Sequence, residues 1–237
     1  ERLFRDYAYA ASVFYSNPEY LNQVILWCHE ALNQSQLCKN TSGRQWVIAM
    51  LGSAYKRSGQ LNKALKLFLQ SRDEAQDKND NLALLNSLHS LTDLFLYCSV
   101  PEYANLCATE AIKVQESMTI EHTMVSAQTY INKGRALQEL GITDSVYIYC
   151  EKAREFCNSL PYNSGMVDVD LLHGIYLTGK GGDSMHLGIQ ELQNVTQQGT
   201  LTNQAKAFHQ LAQTYLKSGN SKVAEIMLDN MYSLLSE

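Results

Sequence analysis

Six histidines and six cysteines are the residues of this chain whose spacing would most readily betray chemistry. His29, His89, His122, His173, His186 and His209 form no HExxH and no HxH pair, the arrangements that bring two imidazoles to one zinc ion. Cys28, Cys38, Cys98, Cys107, Cys150 and Cys157 form no CxxC pair and no Cys/His ligand spacing. Their even number permits disulfides, but buried free thiols on helices are the plainer reading. That reading leans to a reducing, cytoplasmic compartment, and leaves a periplasmic one open if a targeting segment has been removed. The run Thr178-Gly-Lys-Gly-Gly-Asp-Ser184 resembles a phosphate loop only superficially. It lacks GxxxxGK[ST] and follows no strand pattern, so it reads as a flexible turn. No GxSxG elbow surrounds any serine. The sequence therefore predicts no catalytic residue, no metal site and no cofactor, and the chain is read as a non-enzyme.

The wider composition narrows the alternatives. Of 237 residues, 45% are hydrophobic and 18% charged, as in ordinary folded proteins, and the formal net charge is −5. Without a clustered basic patch, direct nucleic-acid binding by this segment is not expected. No apolar run reaches the length of a membrane span. The first residues contain neither a start Met nor a signal-peptide core, which predicts a fragment of a longer protein. The sequons at Asn33, Asn40 and Asn194 read as chance matches.

The organising signal is self-similarity. Leu51-Gly-Ser-Ala-Tyr55-Lys-Arg-Ser-Gly59-Gln-Leu-Asn-Lys-Ala64 aligns with Leu211-Ala-Gln-Thr-Tyr215-Leu-Lys-Ser-Gly219-Asn-Ser-Lys-Val-Ala224. Leu, a small residue, Tyr, Gly and Ala hold the same offsets in both. A third copy runs through Gly134, Leu137, Gly141, Val146, Cys150 and Ala153. Leu51 and Tyr55 are spaced i, i+4, on one helix face. Gly52 and Ala64 are small enough for a close helix approach, and Ser58-Gly59 ends the first helix. Pro18, Pro101 and Pro161 all fall at expected breaks.

This pattern resembles the tetratricopeptide repeat family, a helix pair marked by those same positions. Its register gives six units starting near Arg5, Gln45, Leu85, Ala127, Val167 and Ala205, at spacings of 40, 40, 42, 40 and 38 residues. The family period is about 34, so these units are longer. Units two and six match well, one and four moderately, three and five poorly. The fold class implied is all-α: a right-handed α-α superhelix, a TPR-like solenoid of about six helix-turn-helix repeats, forming one domain over residues 1–237. Ile226, Leu228, Met231, Leu234 and Leu235 crowd the last helix with no polar cap following. Either the protein continues, or this end packs on something else, a homodimer partner included.

In the family the first helix of each repeat lines a concave surface that holds a protein or peptide. Carried onto this sequence, the exposed places are Asp6, Tyr9 and Val13; Trp46, Ala49, Ser53 and Lys56; Asn86, His89, Asp93 and Leu96; Gln128, Ile131, Arg135 and Gln138; Asp168, Leu171, Ile175 and Thr178; and Lys206, His209, Gln213 and Leu216. The candidate ligand set is Trp46, Asn86, His89, Asp93, Gln128, Arg135 and Gln138. Amides suit a peptide backbone because they both donate and accept, and Trp46 would be an apolar anchor. The carboxylate clamp of co-chaperone members needs Lys and Asn where Ala49 and Ser53 stand, so that role is not expected. Three functions are in view. The first is the sensing or interaction region of a larger regulatory protein, such as a bacterial transcriptional regulator with its DNA-binding domain elsewhere. The second is a constitutive scaffold, and the third an enzyme on a helical frame.

Overall fold

The computed structural model describes residues 1–15, 17–37, 43–118, 124–161 and 165–236. Cys38, His122 and the sequon at Asn40 lie outside the described residues. Contacts divide the chain into two compact units, Glu1–Thr119 and Ile120–Glu237.

The first unit holds three helix pairs: α1 (Arg2–Phe14) with α2 (Leu21–Leu37), α3 (Arg44–Arg57) with α4 (Leu61–Asp77), and α5 (Asn81–Tyr97) with α6 (Pro101–Ser117). The second holds α7 (Met124–Glu139) with α8 (Val146–Asn158), α9 (Met166–Lys180) with α10 (Ser184–Gln198), and α11 (Leu201–Lys217) with α12 (Ser221–Ser236). Within each unit every helix packs on its sequence neighbour. First helices also pack on first helices, α3 on α1 and α5, and α9 on α7 and α11. That is the contact pattern of stacked hairpins, in which each pair buries its apolar face on the next. The expected all-α fold of about six helix pairs is what the chain forms, with solenoid-like stacking of the pairs within each unit.

The prolines sit where a missing N–H is harmless. Pro101 is the first residue of α6, and Pro18 opens a 3-10 turn capped by the Asn17 side chain, which accepts from the Glu19 N–H at 2.9 Å. Asp80 caps α5 by accepting from the Ala83 N–H at 3.0 Å.

The turn between the helices of a pair is the same device in several repeats. Gly59, Ser99, Gly141, Gly181 and Gly219 stand at one place in units two to six, and all have positive φ. At Gly59 the glycine N–H donates to Lys56 O and the Gln60 N–H to Tyr55 O, closing a Schellman motif. Ser99, Gly141 and Gly219 repeat that pair of bonds. Ser99 does so with a side chain in the left-handed region (φ 55), which explains why the third repeat reads poorly although its backbone conforms. The fifth repeat departs differently. Gly181 and Gly182 both take positive φ, and the buried small residue of α10 is Gly188, two positions later than the register places it.

Close approach is literal at the small positions. A Cβ on Gly52 would lie 2.1 Å from the Phe68 ring, and one on Gly188 would lie 2.9 Å from Gly174 O of α9. Phe68 is only 3% exposed and has nowhere to move. Gly52→Ala should therefore lower stability in urea denaturation by about 1–3 kcal/mol, although Ala is the better helix former by about 1 kcal/mol. Gly179→Ala, with nothing within 4 Å of the added methyl, should leave stability unchanged or raise it.

Candidate functional site

The face of α3 that the repeat register marks as a groove is where the first unit is hollow. Trp46, Ala49 and Ser53 recur at i, i+3 and i+7, on one side of the helix. Together with Met50, with Ser12 of α1 and with Tyr15 just past its end, they line a cavity of about 260 Å³. Trp46 is 50% exposed, so its indole forms part of the wall and part of the surface. Tyr9 and Val13 of α1 are exposed as well.

Asn86, His89 and Asp93 lie at the same spacing on α5 and are half-buried. Asp93 is already committed: its carboxylate accepts from the Lys56 ammonium of α3. Lys56 Nζ also lies 5.4 Å from the centre of the Tyr97 ring. This pair ties the second repeat to the third and orients Asp93. Burial pushes the His89 imidazole down from its ordinary 6.5 to about 4, so it is neutral near pH 7.

Gln128, Arg135 and Gln138 lie on α7 in the second unit and are half-buried. Gln128 Nε2 donates to Oδ1 of the buried Asn132 at 2.9 Å. Burial lowers the pKa of the neighbouring Lys133 ammonium. Three groove positions taken from the register are buried rather than exposed: Ile131, Leu171 and Thr178. Thr178 Oγ1 is bonded inside the fold, donating to Gly174 O and accepting from Gln210.

A charged cluster in the second unit went unmarked by any motif, because its members come from three helices. Arg154 of α8 lies 3.1 Å from Asp170 of α9 and 3.7 Å from Glu191 of α10. His173 Nδ1 is 2.9 Å from Glu191, and its ring lies near Tyr147 and Tyr176, with centroids at 5.9 and 6.1 Å. His173 is 7% exposed and its Nε2 has no hydrogen-bond partner. The cluster locks three helices together. Desolvation raises the Asp170 pKa, against the pull of Arg154.

The buried thiols are poor nucleophiles. Burial raises Cys28 and Cys150 to about 12 and Cys107 to about 11, and Cys157 also moves up. Among the described residues no group of three or more His, Cys, Asp or Glu side chains could hold a metal ion, and no helix is long and apolar enough to cross a membrane.

No family profile and no curated protein matches the chain. Solved structures do. RapI, solved in its apo form, superposes with a TM-score of 0.79 at 11% identity, covering 99% of this chain and 84% of that one. A Podospora anserina putative kinesin light chain with TPR-like repeats gives 0.59 at 14% identity, covering 83% and 97%. The apo form of the quorum sensor NprR from B. thuringiensis gives 0.69 at 14% identity, covering 91% of this chain and 62% of NprR. The fold is tetratricopeptide-like. At such identities the likeness concerns the path of the backbone, and the side chains that line each cavity are this chain's own.

Two predictions follow from the titratable groups. Between pH 6.5 and 4 the unfolded chain binds a proton at residue 89 that the folded chain refuses. Stability should therefore fall as the pH falls through that window, by up to about 1.4 kcal/mol per pH unit. His89→Gln should flatten the dependence when urea midpoints are compared across it. Arg154→Met would strip Asp170 and Glu191 of their shared cation. Because these side chains are mostly but not fully shielded, the loss should be about 2 kcal/mol, between surface and fully buried pairs. It should shrink on acidification, as the Asp170 carboxylate, whose pKa desolvation already raises, protonates.

Proposed function

We propose that this chain is the peptide- or protein-binding region of a larger regulatory protein. The observation that carries the reading is the cavity on α3: Trp46, Ala49 and Ser53, marked as groove positions by the repeat register, line one hollow. An apolar side chain of a peptide fits there against the indole, where a large aromatic contributes most to binding. The Asn86 amide on α5 offers a donor and an acceptor to the peptide backbone. In the second unit Gln128, Arg135 and Gln138 are assigned the same role on α7.

The fold likeness to RapI and to the quorum sensor NprR supports a sensing role over a purely mechanical one. In a transcriptional regulator of this plan, DNA contact would belong to residues outside this segment, whose net charge is −5. A non-enzymatic role agrees with the protonated thiols and the committed Asp93. A second reading, a scaffold or homodimer that uses the last helix, is favoured by the exposed Ile226, Tyr232 and Leu235 of α12.

Selection of phage-displayed random peptides on the chain tests the first reading. Peptides recovered on the wild type should lose at least about 2 kcal/mol of affinity for Trp46→Ala. The melting temperature should hold, because the indole is half exposed. Unaltered affinity in that variant would reject the α3 cavity as the binding site. A concentration-dependent dimer abolished by Ile226→Lys, with no peptide recovered, would favour the second reading.

A further inference from the structure

The opposite face of α3 carries a different hollow. Arg44, Ile48 and Leu51 recur at i, i+4 and i+7, about half a turn around the helix from Trp46, Ala49 and Ser53. With α2 and α4 they enclose a cavity of about 290 Å³, at the small end of ligand pockets. Leu32, Ile48, Leu51 and Leu67 give it apolar surface, while Asn33 and Gln36 of α2 and Gln70 and Glu74 of α4 supply polar groups.

The charged group in this cavity is incompletely satisfied. Arg44 Nη2 lies 3.6 Å from Glu74, but Nη1 is buried and has no hydrogen-bond partner. Glu74 is divided among several donors, accepting from Gln70 Nε2 at 3.0 Å and lying 3.9 Å from Lys78 Nζ. Two cations thus share one carboxylate. A guanidinium N–H held from water without an acceptor is a cost that an incoming anion would relieve.

We propose that this cavity binds a carboxylate borne on a short apolar body. The Arg44 guanidinium, turning its unpartnered Nη1 toward the cavity, donates to the carboxylate while the body lies against Leu32, Ile48, Leu51 and Leu67. A monoanion suits the site better than a phosphate dianion, because Glu74 stands beside the single guanidinium and repels the second charge. The same chemistry is offered by a free small acid and by the terminal carboxylate of a polypeptide.

The test is an NMR titration of the isotope-labelled chain with isocaproate, and separately with isocaproamide. The acid should shift backbone signals at Asn33, Arg44 and Gln70, leave the Trp46 indole unmoved, and bind about tenfold or more tighter than the amide. Arg44→Gln should erase the preference for the acid, and Leu67→Phe, which fills the cavity, should weaken both probes. The acid–amide comparison in the wild type needs no variant to fold. An acetylated tetrapeptide ending in leucine, set against its C-terminal amide, separates the sources. A terminus that outbinds isocaproate points to a polypeptide, and the reverse order to a free acid. Equal binding of acid and amide, shifts centred on Trp46, or no shifts with any of the probes would overturn the proposal.

Discussion

Ala11, Ala31, Ala54, Ala64 and Ala104 in the first unit, and Ala153 and Ala207 in the second, are wholly excluded from solvent. Side chains this small contribute little apolar area of their own. Their effect is to let neighbouring helices approach until larger residues from both sides interlock. Gly52 is the extreme case, since the Phe68 ring occupies the space a methyl group would need. Gly174 and Gly188 do the same for α9 and α10: a methyl on Gly174 would meet the buried Leu192 side chain, and one on Gly188 the backbone of α9, which cannot rotate away. A pair held so closely has one remaining apolar face, and burying it requires another pair with the same spacing. Repetition is the consequence.

Given that spacing, the chain must reverse direction at the same point in each unit, and a left-handed residue does so most economically. Glycine is the usual choice because it has no Cβ to clash. Ser99 shows that the position matters more than the residue, for its backbone makes the same two capping bonds as Gly59. A substitution that is conformationally uphill but geometrically compatible hides a repeat from a reader of letters. It leaves the backbone intact.

The sequence was therefore most legible where a position has one physical solution. Gly59 and Gly219 at the turn, Ala64 and Ala224 at the crossing, and Pro101 at a helix start each marked their place correctly. The register also brought Trp46, Ala49 and Ser53 to a single cavity, because three residues on one helix share a face by periodicity alone. It failed where a position is decided by several helices at once. Leu171 and Thr178 satisfy the groove spacing yet are buried, and Lys56 and Asp93, both read as groove residues, spend their charges on each other. Arg154, Asp170, His173 and Glu191 are each ordinary in sequence, and only the packing of α8, α9 and α10 makes them a network. Arg44 was invisible for the same reason, since its lack of an acceptor is a property of what surrounds it.

These scales meet in α3. Gly52 admits Phe68, which draws α4 onto α3 and sets the wall formed by Leu67, Gln70 and Glu74. Across the gap, Leu32, Asn33 and Gln36 of α2 form the other wall, and the buried Ala31 and Ser35 of the same helix lie in the core. The hollow between those walls is thus bounded by helices whose spacing the small residues set. On the other face of α3, the Trp46 indole stays half exposed because the register there calls for a surface residue and no neighbouring helix covers it fully. One helix, packed tightly along the two edges between, carries a mainly apolar hollow on one side and a hollow holding the Arg44–Glu74 pair on the other. Both are bounded by helices whose spacing is set by small residues outside the hollows, such as Ala11, Ala54 and Gly52.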